Sequence, residues 1–165
     1  MFRAMDTELA FSPRTEAMLT RAAAQCQSRG VRLTDLRRDV LGLILEADAP
    51  AGAYDLLDRL RTRRGPAAPP TVYRALDFLL AQGLVHRIER LAAYVGCPEE
   101  AGHAHPAQFL ICRECGRARE IEDEALAKAL ASAAARAGFT VGRATIEAEG
   151  LCADCAAEVS GRSRA

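Results

Sequence analysis

Residues 71–95 read TVYRALDFLLAQGLVHRIERLAAYV, and this stretch decides the fold of the first half of the chain. Thr71 predicts a helix N-cap, and the apolar residues after it recur at helical spacing until Gly83, where the helix should end. Two short apolar runs, 84–88 and 92–95, then predict a β-hairpin. A capped helix followed directly by a hairpin is typical of the reader helix and wing of a winged helix-turn-helix.

Three further helices are predicted upstream of that stretch. The first ends at Gly30, the second begins after Thr34, a suitable N-cap, and the third covers about 53–63. Residues 65–70, GPAAPP, predict a loop because proline removes a backbone donor and restricts the residue before it. Together with the hairpin, these helices predict a winged-helix domain over 1–95. The helical spacing predicts that Cys26 is buried. The apolar positions of the first two helices are Met18, Ala22, Cys26, Leu36, Val40, Leu41, Ile44 and Leu45.

The pattern changes after the hairpin. Residues 96–106, GCPEEAGHAHP, are polar and rich in turn formers, so we predict a hinge there. Beyond the hinge, 107–165 predicts a small domain with the order β, β, α, β, which makes the fold class α+β. Its strands are expected at 108–112, 117–121 and 139–146, and its helix is expected to be capped by Asp123, to run to Ala137 and to stop at Gly138.

Two C-x-x-C pairs are the most informative motif of the second domain. Four thiolates brought together by a fold supply the tetrahedral ligand set of a closed structural zinc site. A redox dithiol would need only one pair, and a disulfide framework would suit a small secreted protein. We therefore favour structural zinc, which would supply folding free energy to a domain too small to rely on its core alone. The pairs are Cys112 with Cys115 and Cys152 with Cys155.

A second group of candidate metal ligands precedes the first C-x-x-C pair. All three histidines of the chain, His86, His103 and His105, fall there, and Cys97 lies among them. An isolated histidine is usually an ordinary core or surface residue, but this clustering favours a metal site. With Glu120 on the second strand of the next domain, the imidazole, thiolate and carboxylate groups form a set that suits zinc better than iron(II) or manganese.

Four segments make the chain similar to the ferric uptake regulator family. They are Gly30–Thr34 (GVRLT), Pro69–Leu76 (PPTVYRAL), His105–Gly116, which ends in CRECG, and Gly150–Cys155 (GLCADC). The longer runs PPTVYRALDFLLAQGLVHRIE and YVGC most resemble the zinc uptake regulator branch of that family. The resemblance covers about residues 20–156 and has specific motifs in both domains.

The resemblance implies a homodimeric, metal-activated repressor with an N-terminal winged helix and a C-terminal dimerisation domain. It implies a structural zinc on the four cysteines and a regulatory zinc, hence about two zinc ions per protomer. The regulatory ligands it implies are His86, Cys97, His105 and Glu120. H-x-H occurs in relatives, so His103 could replace His105 or bind an extra metal. Cys97 departs from the iron-sensing pattern, so zinc is the expected effector, and iron, manganese or peroxide sensing is the alternative.

The expected partner is a near-palindromic, double-stranded operator of zinc uptake genes, bound by one or two dimers. Arg74 can address the O6 and N7 atoms of guanine with two hydrogen bonds, and Tyr73 can pack on a thymine methyl group or bond a phosphate. Thr71, at the positive end of the reader helix, is expected to offer backbone N–H groups to a phosphate. Arg32 and Arg37 are weaker candidates for phosphate contacts. The alternative for these residues is an ordinary solvated surface.

Charge and composition limit the other function classes. The chain holds 22 basic and 22 acidic residues, but residues 1–90 hold 14 arginines against 11 acidic residues, which places any nucleic-acid contact in the first half. No stretch approaches the ~18 apolar residues of a membrane span and no secretory signal is evident, so we predict a cytoplasmic protein without a membrane partner. Neither H-E-x-x-H nor the deaminase signature occurs. We therefore do not expect an enzyme, although a thiol oxidoreductase or a zinc hydrolase is the contrasting hypothesis.

Overall fold

The structure is a computed structural model that describes residues 10–97, 107–142 and 144–162. The chain divides into two compact units, Met1–Gly102 and His103–Ala165, called unit 1 and unit 2 below. The predicted hinge at 96–106 stays a prediction, since most of it lies outside the described residues. Within the described ranges, no helix combines the length and the apolar character that crossing a bilayer requires.

Unit 1 combines four helices with a small antiparallel sheet in the part that the structure describes. Its elements are α1 (Pro13–Ser28), α2 (Asp35–Leu45), β1 (Ala51–Gly52), α3 (Ala53–Arg64), α4 (Pro69–Ala81), β2 (Val85–Ile88) and β3 (Ala93–Gly96). The strand order is β1-β3-β2, and β2 and β3 form the predicted hairpin. Gly30 and Gly83 have φ angles of 72° and 68°, a left-handed conformation that ends a helix. This is the predicted winged helix, with α4 as reader helix and the hairpin as wing.

The core of unit 1 lies where the apolar faces of its helices meet. Leu19 of α1, Leu60 of α3 and Leu76 of α4 have no exposed surface. Burial of a leucine side chain stabilises a fold by about 1.5–3 kcal/mol relative to exposure. Cys26 belongs to the same core and is 1% exposed, so the prediction of a packing role is confirmed. The buried face of α4 determines which of its residues point outward.

The start of α4 differs from the prediction. The sequence predicts a loop through Pro70 with Thr71 as N-cap, whereas the helix begins at Pro69 and its N-cap is Ala68. Proline is compatible with the first turn of a helix, because the N–H that it lacks would have no intrahelical partner there and its φ is already helical. The same residues that break a helix can therefore begin one.

The strand β1 is absent from the prediction, and α2 ends earlier than predicted. The sequence predicts a helix end near 48–50, but α2 ends at Leu45. Ala51 then pairs with Tyr94, and Gly52 pairs with Ala93. A strand of two residues has no alternating pattern of its own, so only its pairing with β3 reveals it.

Unit 2 is a three-stranded sheet with two helices in its described part. Its elements are β4 (Ala107–Cys112), β5 (Ala118–Ile121), α5 (Glu124–Arg136), β6 (Thr145–Gly150) and α6 (Ala153–Arg162). The strand order is β5-β4-β6, with β4 antiparallel to β5 and parallel to β6. Asp123 caps α5 as predicted, because its Oδ1 accepts a hydrogen bond from the N–H of Leu126 at 2.9 Å.

The last strand and the last helix differ from the prediction. The sequence predicts a strand at 139–146, but β6 runs over Thr145–Gly150. The N–H of Phe139 donates to the carbonyl of Ala134 at 2.9 Å, so Phe139 closes the end of α5 instead of joining the sheet. The predicted order β, β, α, β also lacks α6, whose only large apolar residue is Val159. That segment is as amphipathic as the predicted helices, so the missing helix is an oversight of the prediction and not a lack of signal.

A buried carboxylate joins α2 to the end of α3. Asp39 is 6% exposed; one of its oxygens lies 3.2 Å from the Nε of Arg63, and the other pairs with Arg64. The guanidinium of Arg63 also covers the ring of Phe11, 4.0 Å from its centroid. This cluster fixes the last turn of α3 directly before the connection to α4.

We expect Asp39→Ala to lower the free energy of unfolding of unit 1 by about 3 kcal/mol, because removal of the buried carboxylate leaves the guanidinium of Arg63, whose side chain is only 18% exposed, without its partner. Urea unfolding followed by circular dichroism measures the change. The matched control is Asp58→Ala, which removes an exposed carboxylate 3.4 Å from Arg61. An exposed pair contributes at most about 1 kcal/mol. Equal losses in the two variants would contradict the role assigned to Asp39.

Candidate functional site

Four cysteines meet at one edge of the unit 2 sheet. Cys112 is the last residue of β4, and Cys115 lies in the turn towards β5. Cys152 follows β6, and Cys155 lies in the first turn of α6. Because β4 and β6 run parallel, with Cys112 opposite Gly150, both C-x-x-C motifs lie at the C-terminal ends of these two strands. The sheet topology therefore brings together two pairs that are far apart in the sequence.

The sulfur atoms have the spacing that a single metal ion requires. The four Sγ atoms all lie within 4.8 Å of one another, and those of Cys115 and Cys152 are 3.9 Å apart. A tetrahedron with zinc–sulfur bonds of about 2.3 Å places its sulfur atoms about 3.8 Å apart. None of these cysteines forms a disulfide. The set fits zinc, and four protein ligands suit a structural site better than a catalytic one, which keeps a position open.

Backbone dipoles favour a thiolate at Cys112. Hydrogen bonds from backbone N–H groups lower the pKa of Cys112 to about 6, with Cys115 having the largest effect and Cys152 the next largest. The Cys152 nitrogen lies 3.4 Å from the Cys112 Sγ. The pKa of Cys155 is raised, chiefly by its hydrogen bond with the Cys152 side chain. Thiols must lose their protons to bind a metal, so metal binding at this cluster is coupled to proton release.

An ion pair joins the two halves of this cluster. The Nη1 of Arg117 lies 3.1 Å from the Oδ2 of Asp154, which stands between Cys152 and Cys155. Sequence reasoning missed this pair, because the two residues are 37 positions apart and no local pattern links them. Both side chains are largely exposed, so water screens the pair and it adds little to stability.

The second predicted metal set begins in the wing of unit 1. His86 lies on β2 opposite Val95 of β3. The N–H of Cys97 donates to the carbonyl of Leu84 at 3.1 Å, which extends the hairpin by one residue pair. Because side chains alternate along a strand, His86 and Cys97 lie on the same face of the wing. Cys97 and the Nε2 of His86 are both buried.

The remaining members of that set are described only in part. Glu120 lies on β5 of unit 2, opposite Phe109 of β4, and its Oε1 is buried. His103 and His105 lie outside the described residues. The structure thus places two of the predicted ligands on one face of the wing, and the complete regulatory set stays a prediction.

The outward face of α4 carries the residues predicted to read DNA bases. Tyr73 is 42% exposed and Arg74 is exposed, whereas Val72, Ala75 and Leu76 are buried. The helix therefore packs on the core through one side and presents a phenol and a guanidinium on the other. This arrangement is compatible with insertion into a major groove.

The other predicted DNA contacts are placed differently. The N–H of Thr71 donates to the carbonyl of Ala68 at 2.9 Å, so the prediction of free N–H groups at this residue is wrong, and only its hydroxyl remains as a candidate contact. Arg32 is exposed. Arg37 is half-buried, and its guanidinium lies over the ring of Phe78, 3.7 Å from the centroid. The sequence does not predict this contact, because the two residues belong to helices far apart in the chain.

Residues 28–149 match the Ferric uptake regulator family. This match includes α4, the wing and the first cysteine pair. The chain belongs to the ferric uptake regulator family. Membership confirms the resemblance that the four sequence segments indicate.

Several relatives of this ferric uptake regulator family member are zinc uptake regulation proteins. The chain is 44% identical over 141 residues to the zinc uptake regulation protein of Escherichia coli (strain K12), covering 86% of this chain and 82% of the relative. It is 34% identical over 129 residues to the zinc uptake regulation protein of Mycobacterium tuberculosis (strain ATCC 25618 / H37Rv), covering 76% and 95%. A solved zinc uptake regulator complexed with zinc and DNA is similar with a TM-score of 0.82 at 44% identity, covering 89% of this chain and 97% of that one.

Proposed function

We propose that this chain is a zinc-responsive transcriptional repressor that binds palindromic operator DNA as a dimer and controls zinc uptake genes. The observation that carries the proposal is the presence of a four-sulfur cluster and an exposed reader face in a chain 44% identical to a zinc uptake regulator solved with zinc and DNA. The relatives are named as regulators, which supports a non-enzymatic role. We place this role in the cytoplasm, where thiols stay reduced.

Each protomer is proposed to hold a structural and a regulatory zinc site. The spacing of the four sulfur atoms supports the structural site, formed by Cys112, Cys115, Cys152 and Cys155. The shared face of His86 and Cys97 supports the regulatory site, because a nitrogen and a sulfur donor on one surface suit zinc. Its other proposed ligands are His105 and Glu120, with His103 as the alternative to His105.

Zinc at the regulatory site would supply a fixed coordination link among its ligands. His86 and Cys97 belong to unit 1 and Glu120 belongs to unit 2, so side chains that share one ion restrict motion between the units. DNA binding then costs less conformational entropy. A shift from about 1:99 to 99:1 in favour of the binding-competent state requires about 5.5 kcal/mol. Apparent affinities of good zinc sites reach about 10–16 kcal/mol, which is sufficient.

The dimer is proposed to form through unit 2. Leu110, Phe139 and Val159 are 46%, 69% and 47% exposed, and α5 has no buried residue in the single chain. An amphipathic helix that buries none of its residues in the single chain supports an interface at α5. A dimer would carry two copies of α4, which suits two half-sites about one helical turn, or about 34 Å, apart.

The test is a titration of DNA binding with buffered metals. A fluorescent duplex is first selected from random sequences by the zinc-loaded protein, and its anisotropy is followed against free zinc, iron(II) and manganese(II). We expect binding to rise with zinc alone and to reach a stoichiometry of one or two dimers per duplex. A scrambled duplex at the same salt concentration is the control, because phosphate contacts alone give non-specific binding. Binding that is unchanged by chelation would overturn the metal switch, and a stronger response to iron(II) would favour the iron-sensing alternative.

A further inference from the structure

The C-terminal end of α4 is held by two arginines from other helices of unit 1. Phe78 lies in the last turn of α4, and Gln82 is its C-cap. Arg37, in the first turn of α2, places its guanidinium over the Phe78 ring at 3.7 Å. Arg29, the C-cap of α1, donates from Nη1 to the carbonyl of Gln82 at 2.8 Å. Both cations thus lie at the helix end where the backbone carbonyls have no intrahelical partner and positive charge is favourable.

The guanidinium of Arg37 is already engaged on one face and one edge. One face covers the Phe78 ring, and Nη1 donates to the carbonyl of Arg32 at 2.8 Å. The side chain is half-buried, whereas that of Arg32 is exposed. A guanidinium in this arrangement stacks as a planar group, which the point charge of a lysine does not reproduce.

Phe78 connects the Arg37 contact to Arg74, the residue of α4 proposed to read DNA bases. Arg74 and Phe78 are four residues apart on α4, so they lie on the same side of the helix about one turn apart. The buried face of α4 sets the rotation of the helix, and a contact that holds Phe78 stabilises that rotation on the side from which Arg74 projects. A guanidinium can form two hydrogen bonds to guanine only when its direction is correct.

We propose that Arg37 is a positioning residue, which orients α4 through Phe78 and does not bind a DNA phosphate. This inference rests on the proposed function for its consequence in DNA binding. It replaces the phosphate contact that the sequence alone predicts for Arg37, and it leaves Arg32 as the arginine of this segment that is available to a phosphate.

The test measures operator affinity as a function of salt for four variants. We expect Arg37→Ala and Phe78→Leu each to weaken binding about fivefold, and the double variant to bind no more weakly than either single variant, because both changes remove the same contact. Phe78→Tyr keeps the ring and should restore binding to within about twofold of the wild type. Between about 50 and 200 mM salt, the slope of log affinity against log salt should stay unchanged in all four.

Arg32→Ala is the matched control, because it removes the same charge from an exposed side chain without a ring contact. If Arg32 binds a phosphate, its removal should reduce the salt slope by about one. The proposal is overturned if Arg37→Ala reduces the slope by that amount, or if the effects of Arg37→Ala and Phe78→Leu on affinity multiply in the double variant.

A measurement without DNA separates this inference from the proposed function. The N–H of Gln82 donates to the carbonyl of Phe78 at 3.0 Å, so its hydrogen exchange reports on the last turn of α4. We expect this amide to exchange at least about fivefold faster in Arg37→Ala and in Phe78→Leu, but not in Arg32→Ala. If the wild type binds no DNA at any zinc concentration, the proposed function fails while this exchange still decides whether Arg37 orients α4. Unchanged exchange in Arg37→Ala would refute the positioning role.

Discussion

Cys112→Ser should prevent unit 2 from folding and should remove at least the four-cysteine zinc ion from each protomer. A serine hydroxyl is a poor ligand for zinc, and Cys112 is the buried member of the cluster, held by the N–H of Cys152. A structural zinc contributes about 10–16 kcal/mol of apparent binding free energy, which exceeds the whole stability of most small domains. Metal analysis by mass spectrometry and the far-ultraviolet circular dichroism of the variant measure the two effects.

Cys26→Ala is the matched control for that variant. It also removes a buried sulfur, but Cys26 lies in the core of unit 1, outside the four-cysteine cluster. We expect this variant to be destabilised by a packing defect and to keep its full zinc content. A zinc content equal to that of the wild type in Cys112→Ser would show that the four sulfur atoms do not hold the ion.

Cys97→Ser should abolish the zinc dependence of operator binding without unfolding the protein. We expect operator affinity at saturating zinc to fall about 100-fold, because a protein whose binding-competent state is about 1% populated binds about 100 times more weakly. The four-cysteine zinc should remain, since Cys97 is not part of that cluster. Anisotropy against buffered zinc, together with the zinc content of the purified variant, measures both outcomes.

The opposite result has a definite meaning. If Cys97→Ser keeps zinc-dependent binding close to that of the wild type, the wing is not a ligand source for the switch, and the family alternatives of iron, manganese or peroxide sensing become the better description. His86→Ala tests the same face of the wing and should weaken binding as much as Cys97→Ser does. Weaker binding in only one of the two variants would contradict a shared ion.

Local signals predicted most elements of this fold. Gly30, Gly83 and Gly138 all have φ near 70° at the end of a helix, and Asp123 caps α5 through its own side chain. These are effects of one residue on its neighbours, so they can be read from the sequence. The periodicity of α4 likewise identified its buried and exposed faces correctly.

The errors at β1 and β6 have non-local causes. The strands β1 and β6 are defined by their partners β3 and β4, and their own residues do not mark their ends. The early start of α4 at Pro69 shows that one residue type can end one helix and begin another. At the candidate site, spacing predicted that four cysteines would meet, but not the role of Arg37, because its partner Phe78 lies on another helix.

The parallel pairing of β4 with β6 also sets an order of events during synthesis. Cys112 and Cys152 are separated by 40 positions, so closing the loop between them costs chain entropy that the pairing of β4 with β6 must offset. The edge strand that completes the cluster is translated after α5, and Cys155 later still. Unit 1, rich in contacts between neighbouring helices, is free to fold while the ribosome is still adding unit 2. We therefore expect a newly made chain to fold unit 1 first and to bind the proposed four-cysteine zinc last, so zinc deprivation should leave unit 2 unfolded.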